Sequence, residues 1–119
     1  MKRVLIVDDS IAVARQLQKI LTDSGSFEVI GHAHNGVEAI KMQQELKPDL
    51  VCMDMNMPGM DGLTALRSLM ALDPSIKVVM VTSLGGVSDK FTEALKLGAR
   101  NVITKPFEAA NVVQALSAL

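Results

Sequence analysis

The chain has 119 residues, of which 49% are hydrophobic and 21% charged, so it can fill one domain core and is too apolar to be disordered. Twelve basic and 13 acidic residues leave a formal net charge of −1, which argues against a general nucleic-acid-binding face. A single cysteine excludes an internal disulfide, and the four apolar residues after Arg3 are too few for a signal peptide or a membrane span. We expect one cytoplasmic domain over residues 1–119, without membrane insertion.

Short apolar runs and helical patterns alternate along the chain. The apolar runs are residues 4–7, 27–33, 50–53, 78–81 and 102–103. Several of them are continuously apolar rather than alternating, which is typical of parallel strands that are buried on both faces. The runs therefore predict the strands of one parallel sheet.

The stretches that follow the runs carry the signals of amphipathic helices. In the first stretch, Val13, Leu17, Ile20 and Leu21 share one helical face ahead of Gly25. The later signals are a capping box at Asn35 and Glu38 with an end near Lys47-Pro48, a cap at Asp61 with an end at Asp73-Pro74, a cap at Ser88 with an end at Gly98, and an inward face of Val112, Val113, Leu116 and Leu119. These patterns predict one helix after each strand.

Five successive strand–helix units predict an α/β fold, namely a doubly wound (βα)5 domain with a parallel five-stranded sheet and helices on both faces. Proteins of this architecture bind their ligands beyond the carboxyl ends of the strands. The residues that leave each strand are therefore the first candidates for a functional site.

Polar side chains leave four of the five predicted strands. Asp8 and Asp9 follow the first strand, Asp54 the third, Thr82 the fourth and Lys105 the fifth. Crowded carboxylates repel one another, and a hard divalent cation such as Mg²⁺, which takes oxygen ligands, relieves that repulsion. A carboxylate can also attack phosphorus, while an ammonium and a hydroxyl group neutralise and bind the phosphoryl oxygens. The pattern predicts Mg²⁺-dependent phosphoryl transfer at one edge of the sheet.

Four segments of the chain resemble the receiver domains of bacterial two-component response regulators. They are VLIVDDS at residues 4–10, DMNMPGMDG at residues 54–62, VTS at residues 81–83 and TKPF at residues 104–107. Together they extend over essentially the whole chain. The resemblance implies a flavodoxin-like sheet with the strand order 2-1-3-4-5 and a phosphorelay switch of the chemotaxis type.

The resemblance also implies roles for the acidic residues. Asp54 corresponds to the phosphoryl acceptor, and Asp9 corresponds to a direct Mg²⁺ ligand. Asp8 would hold a metal-bound water, and Asn56 would offer its backbone carbonyl to the ion. The expected metal site therefore consists of Asp8, Asp9, Asp54 and Asn56.

Two further residues resemble the parts of the family that sense the phosphoryl group. Thr82 corresponds to the switch hydroxyl and Lys105 to the phosphoryl-binding lysine, followed by a cis peptide bond to Pro106. One position departs from the family pattern, because Val102 stands where an aromatic residue usually lies, three residues before the lysine. Coupling of Thr82 to the rotation of an aromatic ring is therefore not expected.

The partners implied by the resemblance are proteins. A histidine kinase would donate the phosphoryl group, and a downstream target would bind the face formed by the fourth helix, the fifth strand and the fifth helix. The chain would catalyse only its own phosphorylation and dephosphorylation, so we do not expect an enzyme. The stretch from residue 61 through residue 84 also resembles the receiver half of a chemotaxis methylesterase. A receiver domain cut from a longer regulator, such as that enzyme or a transcription factor, is therefore the alternative.

Two functions of other classes fit the sequence less well. A small phosphatase with an aspartyl nucleophile needs a general acid, but the residue two positions after Asp54 is Asn56. A nucleotide-binding domain needs a glycine-rich turn after the first strand, where Asp8, Asp9 and Ser10 stand. Both functions are disfavoured.

Three side chains that could suggest metal or redox chemistry have simpler interpretations. His32 and His34 with the distant Cys52 fall short of a zinc ligand set, so we expect the histidines to be solvated near a strand end. Cys52 lies inside an apolar run, which predicts a buried and unreactive thiol.

Overall fold

The computed structural model describes residues 1–55, 57, 59–83 and 88–119. Within these residues, strands and helices alternate in the predicted order. They are β1 (Lys2–Val7), α1 (Ile11–Asp23), β2 (Phe27–Ala33), α2 (Gly36–Leu46), β3 (Leu50–Asp54), α3 (Gly62–Leu72), β4 (Lys77–Ser83), α4 (Ser88–Lys96), β5 (Asn101–Lys105) and α5 (Ala109–Ser117). None of the helices in this described part combines the length and the apolar character needed to cross a membrane.

The strands form one parallel sheet in the order β2-β1-β3-β4-β5. The order confirms the doubly wound α/β class and the topology that the resemblance implied. Strand order reverses between β1 and β3, so the carboxyl ends of these two strands flank the crevice where such sheets bind ligands. The acidic residues predicted for the site lie at the carboxyl ends of these two strands.

The two faces of the sheet carry separate apolar clusters. Leu5 and Val7 of β1 pack in one cluster with residues of α2, α3 and α4, whereas Val4 and Ile6 pack in the other with residues of α1 and α5. Successive side chains of a strand point to opposite faces of the sheet. A strand covered by helices on both faces must therefore be apolar at every position, which explains the continuous apolar runs.

Four of the five strands are longer than the apolar runs predicted, and β2 matches its run. β3 continues through Asp54, β4 begins at Lys77, and β5 ends at Lys105, which pairs with Ser83. Hydrogen bonding in a strand ladder uses backbone groups, so a charged residue at the end of a strand pairs as well as an apolar one. As a result, Asp54 and Lys105 belong to the sheet itself rather than to the loops after it.

Side-chain caps begin the first three helices. Asn35 accepts the backbone N–H of Glu38 at 2.9 Å, and Asp61 accepts that of Thr64 at 2.8 Å, as the sequence predicted. Ser10 caps α1 in the same way, although the sequence patterns did not single it out. Each cap satisfies a backbone donor that the first turn of a helix leaves without a partner.

The buried stripe of α1 contains Ala14, which the predicted face lacked, and leaves out Val13 and Ile20. Ala14, Leu17 and Leu21 are buried, whereas Val13 and Ile20 are half-buried at the margins of the stripe. Ala14, Leu17 and Leu21 follow one another at spacings of three and four residues, so they form the centre of one helical face, and Val13 and Ile20 lie at its margins.

Candidate functional site

The end of β1 carries two adjacent aspartates with different environments. Asp8 is 3% exposed, its N–H donates to the Ala33 carbonyl at 3.0 Å, and its Oδ1 accepts the Ser10 N–H at 2.8 Å. Asp9 is exposed. The pair therefore offers one carboxylate held inside the edge of the sheet and one at its surface.

Asp54 ends β3 and is 4% exposed. The chain that follows it is held on both sides, because the Met55 N–H donates to the Val81 carbonyl at 3.0 Å and the Met55 carbonyl accepts the Gly62 N–H at 3.0 Å. A Cβ atom at Gly62 would lie 2.3 Å from the Asp54 carbonyl oxygen. The backbone of α3 thus approaches Asp54 so closely that only glycine fits.

The three aspartates converge as the sequence predicted. One carboxylate oxygen from each of Asp8, Asp9 and Asp54 lies within 4.8 Å of the others. Two of these groups are almost fully buried, where charge repulsion is less screened than in water. Carboxylate oxygens at this spacing fit a hard divalent cation such as Mg²⁺, and the exposed Asp9 leaves room for water or phosphoryl oxygens on the solvent side.

Lys105 brings a positive charge to the same place. Its Nζ lies 3.4 Å from Asp8 Oδ2 and 3.7 Å from Asp54 Oδ1, and its side chain is 24% exposed. The peptide bond from Lys105 to Pro106 is cis, as the resemblance implied. One ammonium group offsets only one of the three carboxylates, so the pocket remains acidic and keeps its attraction for a cation.

Two further residues were predicted for the site, Thr82 and Asn56, and the structure describes only the first of them. Thr82 is half-buried on β4, directly after Val81, which pairs with Asp54 in the sheet. It therefore lies at the same edge as the carboxylates. Asn56 lies outside the described residues, so its role as a metal ligand stays a prediction.

His32 is a neighbour of the site that sequence reasoning missed. The predicted solvated position is wrong for this residue, because it is half-buried and its Nε2 lies 2.8 Å from the Asp8 carbonyl oxygen. His34, in contrast, is exposed as expected. The contact depends on the alignment of β2 with β1, which the local pattern of either strand does not reveal.

Cys52 is buried in the middle of β3, as predicted. Burial raises the pKa of its thiol to about 12, because the charged thiolate loses its hydration inside the core. The thiolate is the reactive form of cysteine, so this side chain takes no part in the chemistry of the site.

We expect iodoacetamide at pH 8 to leave Cys52 unmodified in the folded protein. With the pKa at about 12, only about one thiol in ten thousand is ionised at that pH. Unfolding in guanidinium chloride returns the thiol to water, and alkylation should then proceed rapidly. Intact mass before and after unfolding measures both states, and equal alkylation rates in the two states would contradict the burial.

Comparison with known proteins agrees with this geometry. A sequence profile of the family described as the response regulator receiver domain matches residues 4–117. The chain is 46% identical to a chemotaxis protein CheY of Listeria monocytogenes over 116 residues, which make up 98% of this chain and 96% of that protein. It is also 44% identical over 120 residues to a protein-glutamate methylesterase/protein-glutamine glutaminase of Pseudoalteromonas atlantica, covering 98% of this chain and 31% of that enzyme.

A solved structure gives the same result for the fold. One chain in the crystal structure of the CheX-CheY-BeF3-Mg+2 complex from Borrelia burgdorferi superposes with a TM-score of 0.93 and 36% sequence identity. The superposition covers 98% of this chain and 87% of that one. The likeness therefore extends over the sheet, the helices and the edge that carries the acidic pocket.

Proposed function

Because the chain belongs to the response regulator receiver domain family, we propose that Asp54 is its phosphoryl acceptor and that phosphorylation changes its contacts with other proteins. The function is phosphoacceptor signalling of the chemotaxis type. It is a signalling switch rather than an enzyme that turns over a substrate. The assignment of individual residues is the part that we propose.

A single observation carries the assignment of Asp54. Its carboxylate shares one edge of the sheet with two other carboxylates and with the Lys105 ammonium at 3.7 Å. In the proposed step an Asp54 carboxylate oxygen attacks the phosphorus atom, an acyl phosphate bond forms, and the bond from phosphorus to the donor breaks. The donor's leaving atom keeps the electron pair of that bond.

Mg²⁺ is the cofactor that the acidic pocket supports. Asp8, Asp9 and Asp54 would hold it, and the backbone carbonyl of Asn56 is a further predicted ligand. When bound, the ion neutralises charge on the phosphoryl oxygens during transfer. Asp9 would supply the carboxylate on the exposed side of the pocket. The Asp8 carboxylate accepts the Ser10 N–H, and this bond fixes its position on the buried side.

Lys105 and Thr82 are proposed to hold the phosphoryl group after transfer. The Lys105 ammonium lies between Asp8 and Asp54, where it can pair with a phosphoryl oxygen as a point charge. Thr82 can donate its hydroxyl hydrogen to another oxygen. Val102 is buried in the apolar cluster that packs against α2, α3 and α4, so this position offers no aromatic ring that could rotate together with Thr82.

Phosphorylation by a small donor tests the proposed function. We expect acetyl phosphate with Mg²⁺ to add about one phosphoryl group per chain, because the donor needs no kinase surface and the acceptor is built into the fold. The same incubation with excess EDTA should add none, since the carboxylates would then repel the incoming phosphoryl oxygens. Intact-mass spectrometry measures both, and equal incorporation with and without the chelator would contradict the metal site.

The identity of the partners belongs to the same proposal. A histidine kinase would be the donor, and a protein target would bind the face formed by α4, β5 and α5. The methylesterase similarity keeps one alternative open, in which this receiver is the regulatory part of a longer protein. The cytoplasmic location, the single domain over residues 1–119 and self-catalysed dephosphorylation stay predictions.

A further inference from the structure

Two backbone groups of Asp8, its N–H and its carbonyl, are hydrogen-bonded to residues of β2. Its N–H donates to the Ala33 carbonyl at 3.0 Å, and its carbonyl oxygen lies 2.8 Å from Nε2 of His32. The first contact continues the ladder between β1 and β2, whereas the second uses a side chain. Asp8 is therefore attached to the neighbouring strand on both sides of its Cα atom.

The chemistry of the second contact determines which atom carries the proton. A carbonyl oxygen only accepts hydrogen bonds, so Nε2 of His32 must be the donor. Nε2 carries hydrogen both in the neutral Nε2–H tautomer and in the imidazolium form. The bond consequently survives whichever of these forms is present.

The position of this bond explains why it matters for the pocket. The paired register of β1 and β2 ends at Val7 and Ala33, so the ladder no longer holds the chain beyond Asp8. The Asp8 carbonyl and the Asp9 N–H belong to one planar peptide unit. By fixing that carbonyl, the His32 ring fixes the plane from which the exposed Asp9 side chain leaves the backbone.

The His32 ring contacts a residue that lies just before α2. The ring of His34 packs beside it, with the ring centroids 4.4 Å apart. His34 is in turn held by Glu38, whose Oε1 lies 3.0 Å from Nδ1 and accepts the His34 N–H at 3.1 Å. These bonds to His34 hold the pKa of the Glu38 carboxyl below its ordinary value.

We propose that His32 is a positioning residue for the divalent-ion site, acting through its hydrogen bond to the Asp8 carbonyl. The proposal rests on the proposed function, since it assumes that Asp8 and Asp9 bind Mg²⁺. Removal of the donor leaves the Asp8–Asp9 peptide unit free to turn. Mg²⁺ then binds more weakly because the pocket must be ordered when the ion enters.

Two substitutions at His32 separate the hydrogen bond from the bulk of the ring. His32→Leu removes the donor, and we expect it to raise the Mg²⁺ dissociation constant about fivefold, which corresponds to about 1 kcal/mol. In His32→Gln the side-chain amide can place an N–H near the position of Nε2, and we expect an affinity within about twofold of wild type. The chain contains no Tyr or Trp, so amide shifts in ¹H–¹⁵N spectra, rather than fluorescence, follow the Mg²⁺ titration.

His34→Leu is the matched control. It makes the same change of residue type two positions away and removes the bond from Nδ1 to Glu38, but it keeps the backbone N–H bond to Glu38 and an apolar side chain beside the His32 ring. We expect its Mg²⁺ affinity to stay within about twofold of wild type. Asp9→Ala serves as the opposite control, because it removes a proposed ligand and should weaken binding more than His32→Leu does.

Long-range ¹H–¹⁵N spectra of wild type test the hydrogen bond even if His32→Leu does not fold. We expect protonated Nε2 and slow exchange of its hydrogen. A deprotonated Nε2, or a folded His32→Leu that binds Mg²⁺ as tightly as wild type, would overturn the positioning role. If Asp9→Ala binds like wild type, the metal site itself is wrong, and the positioning role is lost with it.

Discussion

Replacement of Asp54 by asparagine is expected to abolish phosphoryl incorporation from acetyl phosphate. The carboxamide has nearly the same shape as the carboxylate, but its nitrogen and oxygen are poor nucleophiles, so no acyl phosphate forms. Incorporation should fall from about one group per chain to none, as measured by intact mass. The fold should remain, because the change removes one of three mutually repelling carboxylates from a buried position.

Asp49→Asn is the matched control for this experiment. Asp49 precedes β3, at the opposite end of the strand from Asp54, and its exposed side chain accepts the Arg3 N–H at 2.8 Å. The amide oxygen of asparagine can keep that bond, so we expect normal incorporation. If Asp54→Asn were phosphorylated to the same extent as Asp49→Asn, another residue would be the acceptor.

Gly62→Ala is expected to have the largest effect on stability. The new Cβ atom would lie 2.3 Å from the Asp54 carbonyl oxygen and 2.6 Å from Met55 Cα. Both contacts are with backbone, which cannot rotate away, so α3 or the end of β3 must shift. We expect a loss of about 3 kcal/mol in the free energy of unfolding, at the upper end of the usual cost of overpacking. Urea unfolding followed by far-UV circular dichroism measures it.

Gly36→Ala provides a control at the equivalent position of another helix. Gly36 begins α2 as Gly62 begins α3, and both residues are buried. Its Cβ atom would approach the Met60 side chain, with Sδ at 2.7 Å, and a flexible methionine can move aside. We expect a change of less than about 1 kcal/mol. Equal losses for the two variants would show that the close approach at Asp54 carries no special cost.

The fold class and the acidic pocket could be predicted because their signals are local, whereas the strand order was implied only by the family resemblance. Residues buried on both faces of a strand must be apolar, so the runs around Val4 and Val51 mark strands without any knowledge of their neighbours. Caps such as Asn35 and Asp61 act within one helical turn. Parallel strands end at a common edge, so Asp8 and Asp54 were expected to meet there.

Other features depend on atoms that are distant along the chain. The bond from His32 to the Asp8 carbonyl requires the register of β2 against β1, and the requirement for glycine at position 62 arises from the close approach of α3 to Asp54. The same holds for the distance from Lys105 to Asp8. Short-range patterns decide which element each residue forms and at which end of a strand it lies. Packing between elements decides the distances, because register and helix placement minimise the energy of the whole core at once and not of any single segment.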